Sequence, residues 1–344
     1  MTSFTRSANA AKYDFSFGAF CGTTAPVNSA SRTSCFLQEN TASLIRRFLK
    51  ESLLLAVSAA FAAAAHGQEM EPRAYSPAPV GTQFVFFGYG HQSGDVLLDS
   101  SLPLKDVEVS LNVASIGYGR TFNLAGKQAN VAVLLPYIWG TAKGTLFEDR
   151  ANVRRSGGGD LRLRFSTLFV GGEAMNPKEF ASRKPGLIVG ASVSIIAPTG
   201  QYDPARLVNP GSNRWAFKPE VGLSKPRGRW TVEMMAGTWL FTPNRNFFGG
   251  ARREQKPLIS LQGHLIYTLR RHTWISLDGT YFSGGQTTVN DTLNEDRQKN
   301  ARVGATFALP LTRHQSLKLA WAKGVTTRIG GDLNMFVAGW QYVW

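Results

Sequence analysis

Ionisable side chains at alternating positions are the part of this sequence that could do chemistry. Residues two positions apart share one face of an extended strand, so Arg162 lies beside Arg164, and Lys218 lies beside Glu220. Charges on one face can line a path and select solutes, or they can pair with one another and hold a packed interior together. The sequence leaves both interpretations open. They apply to Arg162, Arg164, Lys218, Glu220, Glu233, His264, Asp278, Arg302 and Lys318.

His264 is the candidate general base, because it lies well inside an alternating segment. A hydrolase would need a serine on the same strand face, two residues along, but Leu265 and Ile266 follow His264. The five histidines of the chain also lack the spacing typical of metal ligands. We therefore expect no catalytic residue, no metal site and no cofactor.

A glycine-rich run from Ser156 to Asp160 could be a phosphate-binding loop. The lysine and the serine or threonine that complete such a loop do not follow it. The next segment also has the period of a strand, not that of a helix. The run is therefore predicted to be a flexible loop that ends where a strand begins.

The first 67 residues are predicted to lie outside the folded domain. Leu44–Gly67 has a basic start, an apolar middle and small residues at a cleavage site, which is the pattern of a secretory signal peptide. Residues 1–43 are interpreted as a doubtful extension, with translation starting at Leu44. They contain both cysteines, Cys21 and Cys35, so the mature chain would have no disulfide. Residues 68–81 then form an N-terminal segment, and residues 82–344 form the membrane domain.

Composition limits the class of protein. Of 344 residues, 43% are hydrophobic and 35 are glycine, which is too apolar for a disordered chain, and the glycines have no collagen-like period. The net charge of the chain is +15, and the basic residues are scattered along the sequence and not clustered. The predicted signal peptide indicates that the chain is exported. We therefore expect no nucleic-acid partner. The charge indicates contact with anionic lipid headgroups or a pore biased toward anions.

From Thr82 onward the sequence divides into about twelve segments of roughly ten residues with period-two hydrophobicity. In Leu161–Phe169 and Val107–Val113 the apolar residues occupy the odd positions, which we predict to face lipid. A soluble sandwich would alternate in the same way, so the connections and the aromatic residues have to decide.

The connections alternate between short and long, as in outer-membrane barrels with short periplasmic turns and long external loops. Gly171–Lys184 is a long connection where a short turn is expected. The predicted short turns are Asn123–Lys127, Lys225–Arg229, Arg270–His272 and Pro310–His314. The predicted long loops are His91–Lys105, Lys143–Gly158, Pro198–Ser212, Pro243–Lys256 and Gly284–Gln298.

Tryptophan and tyrosine gather near the segment ends, where interface girdles are expected. The last segment, Phe336–Trp344, alternates aromatic or small residues and stops on an aromatic residue. The pattern predicts an all-β, closed antiparallel outer-membrane β-barrel of about twelve strands. The predicted girdle residues are Tyr137, Trp139, Trp215, Trp230, Trp239, Trp274, Tyr281 and Trp340.

A family resemblance rests on two adjacent stretches. Residues 197–204 read Ala-Pro-Thr-Gly-Gln-Tyr-Asp-Pro, and residues 207–220 read Leu-Val-Asn-Pro-Gly-Ser-Asn-Arg-Trp-Ala-Phe-Lys-Pro-Glu. With Gln262–Tyr267, Trp274–Gly285 and Asn300–Gly304, they resemble the outer-membrane family of the meta-cleavage pathway of phenol degradation, over roughly Gln83 to Trp344. The resemblance implies an outer-membrane channel or transporter, sometimes encoded near enzymes of aromatic catabolism.

These observations predict passive passage of small solutes, among them aromatic or hydrophobic ones, through a lumen in the outer membrane of a Gram-negative bacterium. The expected partners are the solute, membrane lipid and lipopolysaccharide, and the outer-membrane assembly machinery, which would recognise Trp344. Two alternatives stay open: a lipid-modifying enzyme barrel, and a closed structural barrel whose loops bind partners. The candidates for a loop constriction or binding lip are Tyr202, Asp203, Arg206, Asn209 and Arg214.

Overall fold

The computed structural model describes residues 70–97, 104–146, 149–206 and 208–344. The predicted extension and signal peptide lie outside the described residues, and both remain predictions.

Twelve antiparallel strands form a closed barrel, as the alternation predicted. The ladder runs from β2 through β1 and β17 around to β3, and pairing of β2 with β3 closes it. The barrel strands are β1 Gln83–Leu97, β2 Leu104–Leu124, β3 Lys127–Leu146, β5 Leu161–Val170, β6 Ile188–Ala197, β7 Ala216–Arg227, β8 Trp230–Phe241, β11 Leu258–Arg270, β12 Thr273–Gly284, β15 Gln298–Pro310, β16 Gln315–Thr327 and β17 Gly330–Val343. The remaining strands are β4 Asp149–Gly158, β9 Asn244–Phe247, β10 Ala251–Gln255, β13 Thr287–Val289 and β14 Thr292–Leu293.

Closure pairs the backbone groups of the first and last strands. β1 and β17 pair without a break from Phe84 with Val343 to Leu97 with Gly330. The backbone N–H of Trp344 donates to the Gln83 carbonyl at 3.0 Å. Both ends of the barrel sequence therefore lie beside the short turns, at what we call the periplasmic end. A closed ladder leaves no strand edge in the hydrocarbon of a membrane.

The outer face of the barrel is apolar. Met234 on β8 exposes 63% of its surface and Leu277 on β12 exposes 64%. Exposing such large apolar side chains to water would be unfavourable, whereas contact with lipid acyl chains suits them. Trp230 and Trp344 lie exposed near the periplasmic end. This exterior, on a closed barrel, makes the chain an outer-membrane protein.

The prediction of an aromatic girdle is wrong for two residues. Trp239 and Trp274 are buried inside the barrel. Trp239 lies six residues after Glu233, and Trp274 four residues before Asp278, so each shares the inward face of those charged residues. The period of the strand, and not the distance from its end, decides on which side a tryptophan lies.

The predicted orientation of Val107–Val113 in β2 is also wrong. Val107, Val109 and Leu111 are buried inside the barrel, and Glu108 is exposed outside it. β2 has 21 residues, about twice the ~9–11 that a strand needs to cross a membrane, so this part of it lies beyond the lipid. There the outer face meets water, and the apolar residues pack inward as in a soluble barrel.

The four predicted short turns are confirmed, whereas the long loops contain more strand than expected. β4 extends the hairpin of β3, and β9, β10, β13 and β14 form a second, four-stranded sheet at the outer end. The short turn Arg328–Ile329 between β16 and β17 breaks the predicted alternation of connection lengths.

The long periplasmic connection after β5 holds a short helix, Pro177–Ala181, whose N-terminus is capped by Asn176. In the described part of the chain, no helix has the length and apolar character needed to span a bilayer.

Candidate functional site

The N-terminal segment, Met70–Gly81, runs through the lumen up to the periplasmic rim. Tyr75 is 1% exposed and packs against Leu168, Ile188 and Met235. Its hydroxyl lies 3.0 Å from Ser192 Oγ and donates to Glu220 Oε1 at 3.1 Å. The tyrosine therefore fills one side of the lumen between β5, β6, β7 and β8.

Two glycines make room for that ring. A Cβ atom added to Gly222 would lie 2.2 Å from Tyr75 Cε2, and one added to Gly190 would lie 2.8 Å from Tyr75 Cδ1. Both distances are too short for a real side chain. The absence of side chains at these inward positions of β7 and β6 lets the segment lie against the wall.

Charged groups tie the same segment to the wall. Glu71 forms an ion pair with Arg164 on β5. The backbone N–H of Arg73 donates to Glu233 Oε2 at 2.6 Å, and Ser224 Oγ donates to the other oxygen of Glu233 at 2.9 Å. At the rim, the backbone N–H of Gly81 donates to the carbonyl of Thr121 at 3.0 Å. The segment therefore occupies the periplasmic half of the lumen as a tethered plug.

A cavity of about 460 Å³ lies beside the plug, in the middle of the barrel. Its walls differ in character. One wall, on β1, β3 and β17, is apolar, and Phe84, Phe86 and Leu134 lie on it. The charged wall carries Arg162, Lys218 and other charged groups, and it begins next to the apolar one, because Arg162 on β5 pairs with Leu134 on β3. Five cationic side chains and two carboxylates surround the whole cavity.

The phenylalanine rings lie flat on their wall because glycines face them. A Cβ atom on Gly119 would come within 2.2 Å of Phe84 Cζ, and one on Gly339 within 2.5 Å of Phe86 Cε2. The glycines let this wall present aromatic faces to the cavity without filling it.

Glu220 is where the charges of the charged wall meet. Its Oε2 lies 2.8 Å from Lys218 Nζ, and its Oε1 lies 3.4 Å from Arg164 Nη2. Gln262 Nε2 donates to Glu220 Oε2 at 3.3 Å. Two cations thus share one carboxylate, so positive charge remains in excess on this wall.

His264 is part of a hydrogen-bonded chain inside the wall. Its Nδ1 lies 2.7 Å from Asp278 Oδ1, and Thr306 Oγ1 donates to Asp278 Oδ2 at 2.7 Å. The side chains of His264 and Asp278 are fully buried. The three residues join β11, β12 and β15, and they lie on the inner face of the barrel, away from lipid.

The predicted lumen residues thus lie in three places. All face inward; their role in selecting solutes stays a prediction. The cavity wall holds Arg162, Arg164, Lys218, Glu220 and Lys318. Glu233, His264 and Asp278 are buried below it, and Arg302 lines a second pocket nearer the outer end.

That second pocket, the outer pocket, measures about 50 Å³ and is lined by Arg253, Asp296, Phe241, Phe282 and Arg302 among others. Arg214 lies next to it: its Nη2 donates to Gln255 Oε1 at 2.5 Å, and its guanidinium carbon is 4.4 Å from the Phe241 ring centroid. Between the outer pocket and the cavity, Trp239, Leu258 and Phe282 pack with Ile196 in an apolar cluster.

The five residues of the predicted lip separate in the structure. Arg214 is buried and faces the lumen. Asn209 bonds within its own loop, accepting from the Asp203 N–H at 2.9 Å and donating to the Arg206 carbonyl at 2.7 Å. Asp203 and Arg206 form an exposed ion pair, and Tyr202 donates to the Asn246 carbonyl at 3.1 Å. A constriction made by this loop stays a prediction, with Arg214 as its inward-facing member.

Asp160 anchors that loop to the start of β5. Its carboxylate accepts hydrogen bonds from the Gly200 N–H at 2.9 Å, the Ser212 N–H at 2.8 Å and Ser212 Oγ at 2.5 Å. The glycine-rich run before it is partly strand, since β4 extends to Gly158. Asp160 is therefore a structural anchor at the outer end of the lumen wall.

Sequence reasoning missed the plug and Arg253. Glu71 and Arg73 lie in a segment without periodicity, although their charges complement the inward-facing Arg164 and Glu233. That complementarity was an available signal. Arg253 lies in a predicted loop, and no pattern in the sequence shows that this loop folds as a sheet over the lumen.

The comparisons with known proteins agree with this architecture. The sequence profile of a family described as "Putative MetA-pathway of phenol degradation" matches residues 89–332 of the 344. The chain belongs to this family. A search of curated proteins finds no match.

Solved structures similar to this MetA-pathway barrel include an outer membrane channel from Pseudomonas putida F1. It has 21% identity and a TM-score of 0.68, and the match covers 80% of this chain and 100% of that one. The transport unit of the autotransporter AIDA-I from Escherichia coli has 10% identity and a TM-score of 0.48, covering 83% and 97%. These likenesses concern the fold. The family match begins at Tyr89, so it does not include the plug.

Proposed function

We propose that this MetA-pathway barrel is a passive channel for small solutes, including aromatic and hydrophobic ones. The observation that carries the proposal is the cavity of about 460 Å³ with one aromatic wall and one charged wall. Sites for small molecules fall at roughly 300–1,000 Å³, so the cavity can hold a substituted benzene ring.

The two walls suit solutes with an apolar body and a polar group. A ring would leave water by packing on Phe84 and Phe86, while its hydroxyl or carboxylate would stay solvated by Lys218 and Arg162. Passage needs no covalent step, and we propose that the protein is not an enzyme. The burial of His264 supports this, because its side chain is fully buried and offers no surface to a substrate.

The route has two closures in this structure: the apolar cluster at the outer side of the cavity and the plug at the periplasmic side. A solute passes only when both give way. The plug is held by a few polar contacts and Tyr75, whereas the barrel ladder is continuous without it. The plug is therefore the element that can move without unfolding the barrel.

Planar-bilayer recording and liposome swelling test the proposal, using the refolded mature chain and a variant without residues 70–77. We expect the variant to stay folded and conduct more, and phenol and benzoate to enter liposomes faster than a sugar of similar mass. If neither protein conducts or passes solute, the barrel is a closed structural element. Turnover of phospholipid by the pure protein, lost in His264→Ala, would instead favour a lipid-modifying enzyme.

We also propose that Trp344 is read by the outer-membrane assembly machinery, and that lipopolysaccharide contacts the outer face. Trp344 is 47% exposed at the end of β17, and its ring centroid lies 5.7 Å from that of Tyr342. Removing Trp344 should lower the amount of folded barrel in cells while leaving refolding in detergent intact. Equal amounts in cells would contradict this.

A further inference from the structure

Two arginines meet at the outer end of the lumen with N–H groups left over. Arg214 is 5% exposed, and its Nη1 is buried with no hydrogen-bond partner among the described residues. Arg253 Nε is buried in the same condition. A buried guanidinium loses its hydration, so an N–H without a partner is costly unless a ligand supplies an acceptor.

The neighbouring carboxylates are engaged elsewhere. Both oxygens of Asp160 accept hydrogen bonds from the loop at Gly200 and Ser212. Both oxygens of Asp296 accept from Thr287, whose N–H lies at 2.7 Å and whose Oγ1 lies at 2.6 Å. Asp296 also lines the outer pocket beside Arg253, but its carboxylate is bonded to Thr287. Arg214 Nη1 and Arg253 Nε are left without an acceptor among the described residues.

The surroundings of the arginines are aromatic. The guanidinium carbon of Arg214 lies 4.4 Å from the centroid of Phe241, and that of Arg253 lies 5.3 Å from the centroid of Phe247. Phe241 and Phe282 line the outer pocket with Arg253. Phe282 also packs in the apolar cluster with Trp239, which lines the central cavity.

Resting on the channel function proposed above, we infer that Arg214 and Arg253 form a capture site for aromatic carboxylates at the outer end of the lumen. The outer pocket of about 50 Å³ holds roughly one carboxylate group, since a water molecule takes about 30 Å³. Guanidinium forks match the planar carboxylate, and the ring of the solute packs against Phe241 and Phe282.

The site orders the steps of uptake. An aromatic acid binds by its charge outside the apolar cluster, and its ring then competes for the contacts that Phe282 makes with Trp239. The excess of cations around the central cavity provides the next position for the carboxylate. A neutral phenol has no such anchor and enters by its apolar surface alone.

Direct binding to the mature barrel in detergent tests the inference, with isothermal titration calorimetry as the readout. The probes are benzoate, benzyl alcohol as the neutral ring, and acetate as the anion without a ring. Wild type should bind benzoate at least tenfold more tightly than either of the other probes, because a charge-assisted pair and ring burial both contribute.

The variants are Arg253→Gln and Arg214→Gln, with Arg252→Gln as the matched control. Arg252 is adjacent in sequence, lies on the exposed face of β10 and pairs with Glu254. Arg253→Gln should weaken benzoate at least tenfold and leave benzyl alcohol unchanged, whereas Arg252→Gln should leave both unchanged. Arg253 decides the matter even if Arg214→Gln does not fold.

Equal loss of benzoate affinity in the Arg252 and Arg253 variants would overturn the inference, as would equal affinity of wild type for benzoate and benzyl alcohol. The outcome is independent of conduction. A barrel that binds benzoate through Arg253 but passes no solute would retain the site and reject the channel. A barrel that conducts but binds benzoate no more tightly than benzyl alcohol would retain the channel and reject the site.

Discussion

At the scale of single residues, Asp278 is the polar group on which the inner wall depends most. It accepts from Thr306 and bonds His264, and all three are buried. Asp278→Ala leaves both partners unpaired, so we expect a loss of about 3 kcal/mol in the free energy of unfolding. Urea titration of the folded barrel measures it.

Thr280 is the control, because it lies two residues along β12 on the same buried face and its Oγ1 has no partner among the described residues. Thr280→Val should therefore stay within ~0.5 kcal/mol of wild type or stabilise the barrel. A comparable loss in both variants would mean that packing, and not the Asp278 network, holds this wall.

Arg214 gives a pH dependence. Burial, and next the nearby charge of Arg253, lower the pKa of Arg214 to about 9, while Asp160 acts in the opposite direction. Benzoate stays ionised throughout this range, so its binding follows the proton on Arg214. Affinity should be constant from about pH 6 to 8 and fall as pH rises through 9, by calorimetry. If Arg214→Gln binds benzoate as tightly as wild type and with the same fall near pH 9, another group titrates and Arg214 is not part of the site.

At the scale of elements, Gly222 tests how the plug is seated. Gly222→Ala places a Cβ atom where the Tyr75 ring lies, so the ring must leave and the plug loosens. We expect higher single-channel conductance with the barrel still folded. Gly263→Ala on β11 is the matched change, since nothing lies within 4 Å of its Cβ position. Unchanged conductance in Gly222→Ala would show that Tyr75 does not obstruct the path.

The loop that carries Arg214 depends on Asp160. Asp160→Asn weakens the charge-assisted bonds to Gly200 and Ser212, so the loop should open more often and trypsin should cleave after Arg206 several times faster. Glu173→Gln removes the exposed ion pair with Lys127, which contributes only ~0–1 kcal/mol and lies away from Arg206, so it should change cleavage little. Equal cleavage of the two variants would mean that contacts other than those of Asp160 hold the loop in place.

Elements with a period were predictable, and those without one were not. Alternation of charged with apolar residues around Arg162 and Asp278 fixed both the strands and their inward faces. The same rule failed for Val107–Val113, because part of β2 lies beyond the lipid. There the outer face is polar and the inner face is apolar, the opposite of the arrangement within the membrane. The plug has no period at all, and its place depends on contacts with four strands far away in sequence.

At the scale of the whole molecule, part of the net charge of +15 lies along the lumen. Five cationic side chains and two carboxylates surround the central cavity, and Arg214 and Arg253 lie near its outer approach. A confined path with such walls concentrates anions and excludes cations. We therefore expect an anion-selective channel, measured as the reversal potential in a gradient of KCl.

Lys318 and Lys323 separate the effect of the lumen from that of total charge. Both lie on β16; Lys318 lines the cavity, and Lys323 is exposed on the outer face. Lys318→Gln should reduce the chloride-to-potassium permeability ratio by roughly twofold or more, and Lys323→Gln should not, although each removes one charge. Equal shifts in the two variants would mean that the total charge of the barrel sets the selectivity, because each substitution lowers that total by one charge.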